Sequence, residues 1–148
     1  MARFLATMVL MTLSITGAPA QSHERAPWHD PSRCSQNEAM QADAATDHMK
    51  DWAAIYRVFE RYVKCDDGAI AEGNSDAGVK LLALNWPRVE ELSRLIQKDP
   101  QFGDFVIAHI DETADFSQEK AIVVHARDHC PSGLNALCMR LEKAAANP

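Results

Sequence analysis

The sequence predicts an all-α domain stapled by two disulfides, and three observations predict it. From Asp47 onward, apolar residues recur three and four positions apart, which places them on one face of successive helices. No useful length of chain alternates apolar and polar residues, and no Asn-Gly or Asp-Gly turn lies between β-branched runs, so strands have no signal. The four cysteines are an even set that follows an export-type N-terminus.

That N-terminus begins with a short positive start, Met1 to Arg3. Phe4 to Ile15 is an uncharged, mostly apolar run, and Ala18-Pro19-Ala20 supplies small residues for a cleavage site. This predicts a secretory signal peptide over residues 1–20, cut after Ala20, and a periplasmic or secreted product. The run is too short to span a bilayer and no second one follows, so no stable membrane association is expected after cleavage. Cleavage takes 20 of the 148 residues and leaves 128, enough for one domain. Losing Arg3 takes the 15 basic residues to 14 against 21 acidic ones, a formal charge of −7. Nucleic acid is not expected as a partner, because phosphate binding needs clustered Lys and Arg. A basic protein partner is compatible with that charge.

The elements follow in order. Residues 21–33 hold Pro27 and Pro31 and no apolar period, and residues 35–46 are rich in Ala, Gln, Asn and Asp. Residues 21–46 are therefore expected to be an extended or weakly helical lead-in to a single all-α domain over 47–148. Trp52, Ile55, Tyr56, Phe59 and Val63 form the first strong helical face, which Asp67-Gly68 should end. Residues 69–74 read as a loop or a single turn, with Ser75 capping the next helix and Val79, Leu82, Ala83 and Trp86 along it. Pro87 and Pro100 should each open a helix, since proline is tolerated where the N–H has no partner. Val89, Leu92, Leu95 and Ile96 mark the first of these, and Phe102, Phe105, Val106 and Ile110 the second, with Asp99 as its cap. Asp115 or Ser117 should cap a helix carrying Ile122, Val123 and Ala126. Leu134, Leu137, Cys138 and Leu141 mark the last helix, whose Ala144-Ala145-Ala146 end is expected to fray. Five or six short helices result, in a compact irregular bundle or a short solenoid-like array. The uneven spacing of Pro87, Pro100 and Pro131 shows no true repeat.

Pairing Cys34 with Cys65 and Cys130 with Cys138 closes the shorter loops. An unbroken helix would hold the Cα atoms of 130 and 138 about 12 Å apart. A disulfide needs less than about 7 Å. Pro131-Ser132-Gly133 must therefore turn, and the last helix must start near Leu134. No Cys-x-x-Cys spacing exists to suggest cysteine-bound zinc.

Few residues suggest chemistry. His125 and His129 lie four apart on one helix face, a spacing that can chelate a transition metal. The Glu of a His-Glu-x-x-His site is replaced by Ala126, and the bland alternative is two partly buried, hydrogen-bonded histidines. His109 falls within an apolar stripe, as a core histidine with one hydrogen-bond partner or as a buried neutral base. Asp111 and Glu112 beside it should face water. Asp66, Asp67, Glu72 and Asp76, broken by Gly68 and Gly73, read as an acidic loop that could dock a cationic partner. Its register does not fit a calcium-binding EF-hand. The Trp52, Tyr56, Phe59 stripe is core. Gly-x-Ser-x-Gly, phosphate-cradling glycine loops and paired catalytic carboxylates are absent, and oxidised cysteines would supply no nucleophile.

The expected function is thus an exported protein-binding or inhibitor protein without a cofactor and without enzymatic activity. An immunity protein that blocks a toxic enzyme in the same compartment is one example by class. The alternatives are a metal-binding protein built on His125 and His129, or an enzyme whose site is assembled from residues distant in sequence.

Overall fold

Two disulfides and seven α-helices organise a computed structural model that describes Trp28, residues 30–110 and residues 115–148. The expected signal peptide, residues 1–20, lies outside the described residues, as do Asp111 and Glu112. The helices are α1 Gln36–Thr46, α2 Trp52–Tyr62, α3 Gly68–Leu84, α4 Val89–Lys98, α5 Pro100–Ala108, α6 Phe116–Asp128 and α7 Asn135–Ala146. A short 3-10 turn at Pro31–Arg33 precedes α1, others at Val63–Cys65 and Trp86–Arg88 link α2 to α3 and α3 to α4, and no strand forms among the described residues. The all-α, disulfide-stapled bundle is therefore the fold. The weakly helical segment of the lead-in is a full helix, α1, and brings the count above five or six.

Each helix start has a local cause. Ser35 and Glu38 cap one another in a reciprocal box at the start of α1. Asp51, Asp67, Asp99 and Asp115 cap α2, α3, α5 and α6 through their carboxylates. Pro100 occupies the first turn of α5, as its sequence position predicts. Pro87 instead sits in the 3-10 turn that leads into α4.

The core centres on α2 and α5. Trp52, Ile55, Tyr56 and Phe59 are buried, as are Phe102, Phe105 and Val106 facing them. The Phe102 ring meets Tyr56 edge-on at 5.0 Å and Phe59 at 5.3 Å, and Phe105 meets Phe59 at 5.0 Å. Each large apolar side chain taken from water stabilises by about 1.5–3 kcal/mol, and such ring pairs add about 0.5–1.5 kcal/mol. Leu82, Leu92, Ile122 and Leu141 extend this core across α3, α4, α6 and α7.

Cys34 is bonded to Cys65, with Cα atoms 5.0 Å apart, and ties the start of α1 to the end of α2. Cys130 is bonded to Cys138, with Cα atoms 6.1 Å apart. Gly133, at φ 83°, makes the turn that this bridge requires, and α7 starts immediately after Leu134.

Three expectations are corrected. Residues 69–74 are no loop: α3 runs unbroken from Gly68 to Leu84. Ser75 is not its cap but a buried residue in mid-helix, and Asp67 takes the capping role. The Ala144–Ala146 end is helical, with Ala145 buried against the core.

Candidate functional site

The four acidic candidates separate into one buried and three exposed residues. Asp66 is 7 % exposed and follows Cys65, whose bridge to Cys34 anchors it. One of its carboxylate oxygens accepts the Asn74 amide N–H at 2.9 Å and lies 3.0 Å from His109 Nε2. The His109 Nδ1 donates to the Phe105 carbonyl at 2.8 Å. Both ring nitrogens thus have partners inside the fold, and the ring joins the end of α5 to the turn that precedes α3. His109 is the core histidine, held by more than the one partner expected. Asp66 belongs to this internal staple and leaves the docking surface to which the sequence assigned it.

Asp67, Glu72 and Asp76 stay exposed on α3. The Asp67 carboxylate accepts the Gly68 N–H at 2.9 Å, and Asp76 pairs with Lys80 at 2.7 Å. α1 lies along the first half of α3, and the two touch where Thr46 meets Gly73. A Cβ on Gly73 would sit 2.7 Å from the Thr46 Cβ, so glycine alone permits the approach. This contact separates two stretches of one seam. Toward the start of α3, Ala39, Met40, Asp43, Asp67, Ala69 and Ile70 line a shallow groove of about 310 Å³. Toward its end, Asp47, Lys50, Asp76, Lys80, Leu81 and Leu84 line a deeper cleft of about 440 Å³. Met40 and Leu84 are 67 % and 69 % exposed, which is unusual for large apolar side chains.

Sequence reasoning missed Met40, Asp43 and Asp47, because residues 35–46 carry almost no apolar period. The 3-4 spacing of Met40, Asp43 and Asp47 was the available signal, since it puts them on one edge of a helix.

His125 and His129 are brought together, with ring centroids 5.9 Å apart. His125 Nε2 donates to the Ala83 carbonyl at 3.1 Å, and its ring stacks on Trp86 at 5.5 Å. The Trp86 indole N–H in turn donates to the His129 carbonyl at 2.9 Å. This cluster clasps the α3–α4 corner to the end of α6. Among the described residues, no group of three or more His, Cys, Asp or Glu side chains converges in a way that could hold a metal ion.

At the other end of α1, Glu38 bonds Lys64 at 2.8 Å. The Lys64 ammonium first, and then the Ser35 N–H and hydroxyl, hold the Glu38 carboxyl down at about 2. Helix α1 is therefore fixed at one end by a disulfide and an ion pair, and at the other by the Thr46–Gly73 contact. No protein-family model matches this chain, and neither does any curated protein or solved structure.

Proposed function

We propose that this chain is an exported protein-binding protein of the inhibitor or immunity kind, and that it meets its partner through the α1–α3 seam. One observation carries the reading. Exposed carboxylates, Asp43 and Asp67 at one groove and Asp47 and Asp76 beside Lys50 and Lys80 at the other, flank grooves whose walls include exposed Met40 and Leu84. Apolar surface ringed by charge is the usual composition of a surface that a partner covers. The acidic rim favours a basic partner, whose approach such charge would steer.

Two features favour binding over catalysis. His109 spends both ring nitrogens inside the fold. All four cysteines are in disulfides. The bridges fit an oxidising compartment, and with the tripartite N-terminus they support a periplasmic or secreted location.

The test is retention followed by inhibition. The immobilised full chain is offered the exported proteins of its own cells. The expected result is an enzyme that is retained at low salt, released as salt rises, and inhibited by the free chain. Retention that ignores both salt and the neutralising set Asp67→Asn, Glu72→Gln and Asp76→Asn contradicts the reading.

A further inference from the structure

We infer that the groove between Met40 and Ile70 is a seat for an arginine- or lysine-bearing apolar segment of the partner protein. This rests on the protein-binding reading and names the chemistry at one end of the seam. The walls are Ala39 and Met40 from α1 and Ala69 and Ile70 from α3, with the carboxylates of Asp43 and Asp67 in the same groove. Among the described residues, no basic side chain lines it. Elsewhere the protein supplies its own cations: Lys50 and Lys80 in the larger cleft, Arg57 and Arg61 on α2, Arg33 and Lys64 near the first bridge. The Asp43 carboxylate makes no ion pair among the described residues, whereas Asp76 is paired with Lys80 and Glu38 with Lys64.

Apolar walls with unmatched negative charge suit one class of side chain. Arginine and lysine carry long aliphatic stems that lie on apolar surface while the charged head reaches past it. Over Met40 and Ile70 such a stem would lose water contact, and its head would find Asp43 and Asp67. An acidic peptide or an anionic lipid surface would meet repulsion at the same place.

The full chain reports on this through its methionine methyl groups. Met40 lies in the groove, while Met139, 64 % exposed on α7, lies outside it and serves as the control. The probe is the peptide acetyl-Leu-Arg-Leu-Arg-Leu-amide, with the matching Leu/Glu peptide for comparison. The expected result is a saturable shift of the Met40 methyl resonance with the Arg peptide, none with the Glu peptide, and no change at Met139. Asp43→Asn with Asp67→Asn should weaken the Arg peptide about tenfold, since both rim charges are lost. Asparagine caps a helix as well as aspartate does, so α3 should be kept, and an unchanged unfolding midpoint verifies it. Equal shifts at Met40 and Met139, a Met40 shift with phosphatidylglycerol vesicles, or unchanged affinity in the double variant would each overturn the inference. A retained partner that ignores Asp43→Asn with Asp67→Asn removes the groove assignment alone. Peptide binding at Met40 with no partner retained removes the wider reading and leaves the groove.

Discussion

Helices α2 and α3 pack against each other but are held by different means. α2 buries one stripe of large side chains, Trp52, Ile55, Tyr56 and Phe59, so its hold is area removed from water. Between residues 70 and 78, α3 buries Ile70 together with Asn74, Ser75, Ala77 and Gly78. Its hold is close approach at Gly73 and a buried bond from Asn74 to Asp66. Area tolerates small changes of shape, whereas close approach and buried polar geometry do not. The seam proposed as the working surface is built on the second kind of helix.

The largest effects should come from removing what each helix depends on. Trp52→Ala takes a fully buried ring from α2 and should cost about 3–5 kcal/mol in urea unfolding. Asp66→Ala leaves the buried Asn74 and His109 groups without their carboxylate and should cost a similar amount, about 3–5 kcal/mol. Glu72→Ala, exposed on the same helix, should stay within about 0.5 kcal/mol. Equal small losses at Asp66 and Glu72 would return both to one solvated loop.

Two glycines of α3 sharpen the contrast because their expected effects have opposite signs. Gly73→Ala drives a Cβ into Thr46 and should destabilise by about 1–3 kcal/mol. Gly78→Ala meets nothing within 4 Å and should stabilise by about 0.5–1 kcal/mol through helix propensity and the stiffer unfolded chain. A gain at both positions would mean that α1 is not pressed against α3 at Gly73.

These cases show why legibility differed along the chain. In α2, α4 and α5 the buried stripes are built mainly from regularly spaced apolar residues, and the Asp51 and Asp99 caps, with Pro100, mark where two of these helices begin. In α3 the residues that usually break helices are the ones that make it fit. Gly68, at φ 50°, follows the Asp67 cap at its start, Gly73 admits Thr46, and Asn74 turns inward. A composition rich in Gly, Asn, Ser and Asp has the same local signature whether it solvates a loop or packs closely. One partner of Asp66, His109, is 43 residues away, so no local pattern could place it. The disulfides were legible because loop length and the Pro131–Gly133 turn constrained them. α1 was only half legible, because its burial is limited to Ala42.

The smallest effect concerns pH. Folding lowers the Glu38 carboxyl from 4.5 to about 2, mainly through Lys64 and then Ser35. The folded state therefore favours the ionised form. That contribution is fully present above about 4.5 and is lost as the pH falls from there toward 2. Acid should loosen α1 over this window, seen as faster amide exchange in residues 36–46, and Glu38→Gln should flatten the response. An unchanged pH profile in Glu38→Gln would separate Glu38 from the anchoring of α1.

The central claim is that the acidic α1–α3 seam is the working surface and the α6 histidines are not. The rate of association with the retained partner, measured across salt concentrations, tests it most directly. For Asp67→Asn, Glu72→Gln and Asp76→Asn together, association should slow several-fold at low salt and depend less on salt, while the unfolding midpoint holds. For His125→Ala with His129→Ala, any protein that remains folded should associate at the parent rate. If the acidic set associates as fast as the parent while the folded histidine pair loses all binding, the seam is not the working surface and a metal-linked reading of His125 and His129 replaces it.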